Sequence, residues 1–128
     1  MSAYTSTDKR LAQIDADGWE LESAEVRHAA SPDTFRIPDR ALRDSLRLGQ
    51  LVQLLFQIQA LDDDGNREVN VERMWVEIDG RVDSLYVGSL RNQPASIEAG
   101  QGLDFKSKVA FRAEHVIDIR DGYERDAT

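Results

Sequence analysis

From residue 50 onward, the apolar side chains of this chain recur at every second position, and this period constrains the fold more than any other feature. Residues 50–60 read QLVQLLFQIQA, and residues 71–78 read VERMWVEI. Successive side chains of a strand point to opposite faces of a sheet, so this alternation predicts half-buried strands. On the first strand one face carries Val52, Leu54, Phe56, Ile58 and Ala60.

Turn signals divide the second half into a succession of short strands. Residues 61–66, LDDDGN, predict a turn, and Asp79-Gly80 predicts a tight hairpin before a third strand over 81–90. A loop over 91–102 leads to a strand at 104–111. A short turn, long enough for one turn of 3₁₀ helix, precedes a last strand at 116–119. This order predicts a small SH3-like barrel, with an open meander carrying the helices on one face as the alternative.

The first 48 residues have mixed patterns. We expect a helix over 7–16, a strand beginning in 19–26, a loop over 28–38 and a helix over 39–47 whose Leu42 and Leu46 face inward. The fold class is therefore α+β and mostly β: a five-stranded SH3-like barrel with an N-terminal helix, strand and loop packed on it. We expect one domain over residues 1–128, with a cover at 1–48, the barrel at 49–119 and a polar tail at 120–128.

Composition excludes several classes of protein. The 128 residues include no cysteine, so disulfides, thiol nucleophiles and cysteine zinc sites are absent. No apolar run reaches the roughly 20 residues that span a bilayer, and the start lacks the pattern of a secretory signal. The net charge of −8 opposes binding to nucleic acid. We therefore expect a cytoplasmic, bacterial protein that binds neither nucleic acid nor membrane.

The aspartates at 62–64 resemble the start of a calcium loop but do not complete it. The sixth position of such a loop is glycine and the twelfth is glutamate, whereas this chain has Arg67 and Arg73 there. His28 and His115 are the two histidines, and neither has a second histidine at a zinc spacing. We predict a solvated hairpin turn at 62–64, no metal site and no cofactor.

A hydrolase-like site is the alternative that involves the loop at 28–33. His28, Ser31 and Asp33 could meet in space, although no G-x-S-x-G nucleophile motif is present. We prefer a loop-stabilising role, in which His28 or Asp33 binds backbone amides around Pro32. No catalytic residue is assigned.

Arginines recur along the second predicted helix. Arg36, Arg40, Arg43 and Arg47 fall at i, i+4, i+7 and i+11, so a helix through all of them would carry one basic stripe. Such a stripe could bind an acidic partner, and Arg40, Arg43 and Arg47 are candidate binding residues. The alternative is a solvated face with Asp39–Arg43 as an ion pair.

Trp75 breaks the alternation of its strand, because it lies on the polar face between Arg73 and Glu77. One interpretation is that the N-terminal segment with Trp19 covers this face and builds a second small core. The other is that an exposed indole marks a binding surface. We favour the cover, and we expect Trp75 to be at least half buried by Phe35 and its loop.

The motifs together resemble an uncharacterised bacterial family, domain of unknown function 2314, with domain of unknown function 2185 as a relative. The resemblance covers about residues 28–119. It rests on a P-x-T-F-x-I-P stretch, the start of a strand, an E-R-M-W-V-E strand and an N-x-P turn, which here are Pro32–Pro38, Leu48–Gln50, Glu72–Ile78 and Arg91–Pro94. Gln50, Arg91 and Gln93 replace aspartates of the family pattern, so a role that needs those acids is not expected here.

The resemblance implies one grouping of residues and one class of function. Phe35, Trp75, Asn92 and Pro94 are expected to come together, either as a structural clasp or as the floor of a shallow groove. Relatives of the family are grouped near immunity proteins of bacterial toxin systems, which implies a non-enzymatic protein-binding module of immunity or adaptor type. The partner would be another protein, and a small-ligand-binding domain is the alternative.

Overall fold

The structure, a computed structural model, describes residues 10–97 and 102–121. No helix within these residues has the length and apolar character needed to cross a membrane. The helices are α1 (Ile14–Asp17), α2 (Ala24–Ala30), α3 (Arg40–Arg43) and a 3₁₀ turn (Ala113–His115). The strands are β1 (Trp19–Leu21), β2 (Leu51–Leu61), β3 (Arg67–Val82), β4 (Leu85–Leu90), β5 (Lys108–Phe111) and β6 (Val116–Arg120).

Strands β2 to β5 form an antiparallel meander, and β6 returns to pair with β2 on the side opposite β3. The 3₁₀ turn separates β5 from β6. This is the strand order of an SH3-like barrel, so the predicted fold class is confirmed. The N-terminal cover also contributes to the sheet, because β1 pairs with β2 beyond the end of β6, with Trp19 opposite Ile58.

The inner faces of the strands enclose the main core, as the period of two predicts. Val52, Leu54 and Phe56 of β2 are fully buried there. Trp19 packs beside Phe56 with ring centroids 5.5 Å apart, and Tyr86 stacks on Phe111 at 5.3 Å. Trp19 therefore belongs to the main core, and it does not cover Trp75 as the N-terminal cover was expected to do.

A second, smaller core lies on the outer face of the sheet. Phe35 of the loop and Ala24 of α2 pack there against Leu55 of β2 and Ile117 of β6, with Ile37 partly buried beside them. The residues that follow α2 are thus packed on the barrel through Phe35. A small second core was predicted at this face, and the structure places it beside Leu55 instead of over Trp75.

Two expected helices differ from those observed. Residues 24–30, expected as the end of a strand and the start of a loop, form α2, because Ser23 caps the helix by accepting a hydrogen bond from the Val26 N–H at 3.2 Å. The helix expected over 39–47 is the single turn α3, and Leu42 is exposed instead of facing inward. Of the helix expected over 7–16, only the single turn α1 (Ile14–Asp17) forms, and residues 10–13 are not helical; residues 7–9 lie outside the described residues.

The hairpin expected at Asp79-Gly80 is also wrong. Strand β3 continues to Val82 and absorbs Asp79 in a register shift between Ile78 and Gly80. The turn follows at Asp83, whose φ of 56° supplies the left-handed conformation. An Asp-Gly pair fits a β-bulge as well as a turn, so the local signal could not separate the two.

Candidate functional site

The outer face of β2, β3 and β6 carries the tryptophan that the alternation left unexplained. In the register of the sheet, Gln53 of β2 lies between Trp75 of β3 and Asp118 of β6. A shallow pocket of about 190 Å³ opens beside the indole. We call its lining the Trp75 surface, and it consists of Leu51, Trp75, Arg91, Asn92 and Arg120.

The indole of Trp75 is partly exposed and more than half buried. The guanidinium of Arg120 lies over the ring, 4.8 Å from its centroid. This contact is a cation–π interaction, which is worth about 0.5–1 kcal/mol at an exposed site. The ring thus has the degree of burial that the sequence predicts, but an arginine of β6 covers it instead of Phe35.

Hydrogen bonds to the backbone N–H and carbonyl of Trp75 attach the loop at 91–97 to this strand. The Trp75 N–H donates to Asn92 Oδ1 at 2.7 Å, and the Trp75 carbonyl accepts from the Arg91 N–H at 2.8 Å. Pro94 is buried in the same loop. The E-R-M-W strand and the N-x-P turn therefore meet, as the resemblance implies, through the side chain of Asn92.

Glu72 makes the second attachment of this loop. Its carboxylate accepts hydrogen bonds from the Ala95 N–H at 2.9 Å, the Ser96 N–H at 2.6 Å and the Ser96 hydroxyl. Burial raises the pKa of Glu72, but the hydrogen bonds from Ser96 and Ala95 together outweigh it and leave the pKa below its ordinary value. Glu72 therefore holds the loop as a carboxylate at neutral pH.

Phe35 does not join Trp75, Asn92 and Pro94 as expected. It is 8% exposed in the second core, and its ring lies between the guanidinium groups of Arg27 at 5.6 Å and Arg73 at 5.5 Å. Arg73 comes two positions before Trp75 on the same face of β3, so Phe35 neighbours the Trp75 surface without being part of it. The physical reason is that Leu55 and Ile117 offer an apolar site closer to the loop.

His28 lies in α2 and not in the loop expected at 28–38, and it binds a backbone carbonyl instead of the backbone amides that were expected. A ring nitrogen of His28, Nδ1, lies 2.7 Å from the carbonyl oxygen of Phe35, which ties α2 to the Phe35 loop. Asp33 is exposed in that loop. At the hairpin tip, Asp62 Oδ1 accepts the N–H groups of Asp64 and Asn66, so the carboxylate closes the turn.

The basic stripe expected from the arginine spacing does not form, because α3 is only one turn long. Arg43 is 5% exposed. Its guanidinium donates to Glu25 Oε2 at 2.6 Å, the Pro38 carbonyl at 2.8 Å and the Ala113 carbonyl at 3.0 Å. We call these four residues the Arg43 cluster. Arg43 is therefore an internal bridge between the cover and the barrel, and its side chain is buried instead of facing an open surface.

The other two arginine candidates differ from one another. Arg40 is exposed and forms an i,i+4 pair with Asp44 at 2.9 Å and a longer contact with Glu25 at 3.6 Å. Arg43 pairs with Glu25 and not with Asp39 as expected. Arg47 is exposed at a groove of about 730 Å³ between the segment 36–47 and the barrel. Of the three candidates, Arg47 lines this groove, whereas Arg40 lines a separate concavity of about 350 Å³.

We call the groove at Arg47 the arginine groove. Its cations are Arg36, Arg47 and Arg73, and none of them forms an ion pair with another described residue. Two aspartates, Asp118 and Asp121, lie on the β6 side. The rest of the lining is Ile37, Pro38, Leu42, Ser45, Gln50, Gln53, Ile117 and Ile119.

His115 is the most buried titratable group near the Arg43 cluster, at 5% exposed. Its Nδ1 accepts a hydrogen bond from the Arg112 N–H at 2.9 Å, which requires an unprotonated Nδ1. Burial lowers the pKa of His115, and the nearby Glu114 carboxylate opposes this effect only in part. Among residues 10–97 and 102–121, no group of three or more histidine, aspartate and glutamate side chains has an arrangement that could hold a metal ion.

Comparison with known proteins finds no matching family model, no matching curated protein and no matching solved structure. The sequence analysis missed the arginine groove, because its lining comes from four separate segments of the chain. The one available signal was the excess of arginines at 36–47 over nearby acids. That signal led instead to a helical stripe.

Proposed function

We propose that the protein is a non-enzymatic protein-binding module of immunity or adaptor type, which binds its partner through the Trp75 surface. The observation that carries this proposal is the partly exposed indole on the outer face of the barrel, which lines one pocket together with Arg91 and Arg120. Tryptophan and arginine are the residue types most enriched among those that dominate the energy of protein interfaces. The resemblance to domain of unknown function 2314 supports the same class and is part of the proposal.

The arginine groove indicates the chemistry of the partner. The chain has a net charge of −8, yet three arginines without an ion pair among the described residues line one concavity. One of them, Arg73, lies two positions before Trp75 on the same face of β3. A partner that places carboxylates against these arginines would gain attraction, because rim charges steer encounter and fix orientation. We therefore expect a partner with an acidic contact surface, inside the bacterial cytoplasm.

The experiment uses the purified chain as bait to retrieve a partner, which is then purified and titrated by calorimetry. Trp75→Ala should weaken binding by about 30-fold, which corresponds to the roughly 2 kcal/mol of a dominant interface residue. Arg47→Ala should weaken binding mainly at low salt, because its contribution is a screened attraction.

A matched control separates the effect of the position of Arg47 from the effect of losing one positive charge. Arg40→Ala removes the same charge from an exposed arginine that lies outside both surfaces and pairs internally with Asp44. It should bind like the parent. The proposal would be contradicted if Trp75→Ala bound the partner as tightly as the parent. It would also be contradicted if Arg40→Ala and Arg47→Ala weakened binding equally.

A small anionic ligand in the arginine groove is the second candidate. The groove volume of about 730 Å³ lies within the usual range of ligand pockets, roughly 300–1,000 Å³, and its lining combines apolar side chains with three cations. Thermal-shift measurements with citrate and with inorganic phosphate test it directly. Stabilisation that Arg47→Ala abolishes and Arg40→Ala retains would favour this function over protein binding.

A further inference from the structure

One half of β3 has an edge without a strand partner among residues 10–97 and 102–121, and we call it the free edge. Strand β4 pairs with β3 only from Val76 to Val82, so Arg67–Arg73 has a strand partner on one side, β2. The register of β2 with β3 is regular over this whole length. At about 3.4 Å per residue, the free edge extends for about 20 Å.

The backbone direction along this edge follows from contacts on both sides of the hairpin. The Gln59 N–H of β2 donates to the Gly18 carbonyl at 2.9 Å, so it points toward β1 and away from β3. Gln59 and its partner Val69 are therefore a pair without hydrogen bonds to each other, and the N–H and C=O of Val69 point away from β2. The Trp75 N–H and C=O point the same way, toward Asn92 and Arg91. With a period of two, Arg67, Val69, Val71 and Arg73 all present backbone groups to the free edge.

The side chains of this edge are apolar and exposed at its centre. Val69 is 52% exposed and Val71 is 46% exposed, and Leu61 of β2 beside them is 68% exposed. Natural edge strands are usually protected by charged side chains, proline or a bulge. Here the charged side chains lie at the two ends of the stretch, while its centre, Val69–Val71, has no charge and no proline, and the pairing with β2 has no bulge.

We propose that a second copy of this chain adds to this edge, so that two β3 strands pair antiparallel about a two-fold axis at Val69. The proposal does not rest on the protein-binding function, because the Trp75 surface and the arginine groove lie outside Arg67–Val71. Three hydrogen-bonded pairs form, Val69 with Val69 and Arg67 with Val71 twice, and Glu68 faces Asn70. The surface is thus complementary to itself.

Charge selects this register over its neighbour. A two-fold axis at Asn70 would place Arg67 opposite Arg73 and Glu68 opposite Glu72, and like charges directly opposite destabilise a strand pair. An axis at Val71 would bring the second copy to Trp75, whose backbone groups already bind Asn92 and Arg91. The Val69 axis avoids both conflicts and keeps the loop held by Glu72 outside the paired stretch.

The absence of cysteine from the chain allows a direct test of the register. Cα atoms of a hydrogen-bonded antiparallel pair lie about 5.5 Å apart, within the roughly 4.4–6.8 Å that a disulfide spans. Val69→Cys should therefore form a covalent dimer under mild oxidation. Val71→Cys is the matched control on the same face, because its two copies would lie about 15 Å apart.

Sedimentation of the unmodified protein over about a hundredfold range of concentration should show a reversible monomer–dimer equilibrium. Val69→Pro should abolish the dimer and keep the monomer folded, because Val69 donates toward the free edge and not to β2. Val69→Arg should also abolish it by placing two arginines opposite each other, and circular dichroism checks both folds. A monomer at every concentration, equal cross-linking of Val71→Cys, or a dimer that survives Val69→Arg would overturn the proposal.

Discussion

In the Arg43 cluster a charged residue is buried, and on the Trp75 surface an aromatic residue is partly exposed, which is the reverse of what their residue types suggest. Arg43 is a charged residue in a polar stretch, yet it is 5% exposed and makes three hydrogen bonds to Glu25, Pro38 and Ala113. Trp75 is the larger apolar residue, yet it remains partly exposed on the outer face, with Arg120 above its ring. The charged residue holds the fold together, and the aromatic residue is available for contact.

The difference follows from how each group meets its surroundings. A guanidinium has five N–H donors in a planar fork, so it can be buried where carboxylate and carbonyl oxygens converge from different segments. An indole needs apolar neighbours on both faces to be fully buried. At the Trp75 position the neighbouring strands supply Gln53 and Asp118, and these polar side chains do not enclose it.

The largest effect should come from removing the buried arginine. Arg43→Ala leaves the Glu25 carboxylate and the Pro38 and Ala113 carbonyls without this donor, and we expect a loss of about 3 kcal/mol in the free energy of unfolding. Urea denaturation measures it. Arg43→Lys should restore only part of this free energy of unfolding, because a lysine lacks the planar fork of donors with which Arg43 binds all three oxygens. If Arg43→Ala were as stable as the parent, Arg43 would not hold the fold together, and the contrast with the Trp75 surface would be wrong.

Trp75→Ala should destabilise the protein less than Arg43→Ala. Because the side chain is partly exposed, its burial contributes less to stability. We expect the free energy of unfolding to fall by about 1–2 kcal/mol, compared with roughly 3–5 kcal/mol for truncation of a fully buried aromatic. Phe35→Ala, which truncates an aromatic of the second core, is the control and should cost more. A loss from Trp75→Ala as large as that from Phe35→Ala would show that the indole is a structural clasp after all.

Acidification should weaken the region around the Arg43 cluster through His115. Because the pKa of His115 is below its ordinary value of about 6.5, the unfolded chain binds a proton before the folded chain does. Stability should therefore fall as the pH decreases from about 7.5 to about 5.5, before the hydrogen-bonded carboxylates titrate.

His115→Gln is the variant that tests this origin, and its melting temperature should depend less on pH over the same range. His28→Gln is the control, because it removes the other histidine and leaves His115 in place. An unchanged pH profile in His115→Gln would mean that the effect comes from other groups.

The smallest effect on stability should come from Arg120→Ala, which uncovers one face of the indole. An exposed cation–π contact contributes little, so the melting temperature should stay near that of the parent. Acrylamide should quench the Trp75 fluorescence more strongly, measured in a Trp19→Phe background that removes the other indole. Unchanged quenching would indicate that Arg120 does not cover the ring in solution.

Much of the barrel could be predicted from the sequence, because its signal is local. The period of two over 50–60 and 71–78 reports which face of each strand is buried, and the short segment before residue 116 leaves room only for a 3₁₀ turn. Local signals failed where one pattern suits two structures. Asp79-Gly80 fits both a hairpin and a bulge, and AEVRHAA became a helix once Ser23 capped it.

The sequence by itself thus determined the order of the barrel strands, and the resemblance implied the meeting of the E-R-M-W strand with the N-x-P turn. Only the tertiary structure decided which arginine is buried, what covers Trp75 and where the groove opens. The physical reason is sequence separation. Arg43 reaches Glu25 across 18 positions and Ala113 across 70, so its environment depends on packing that no local pattern encodes.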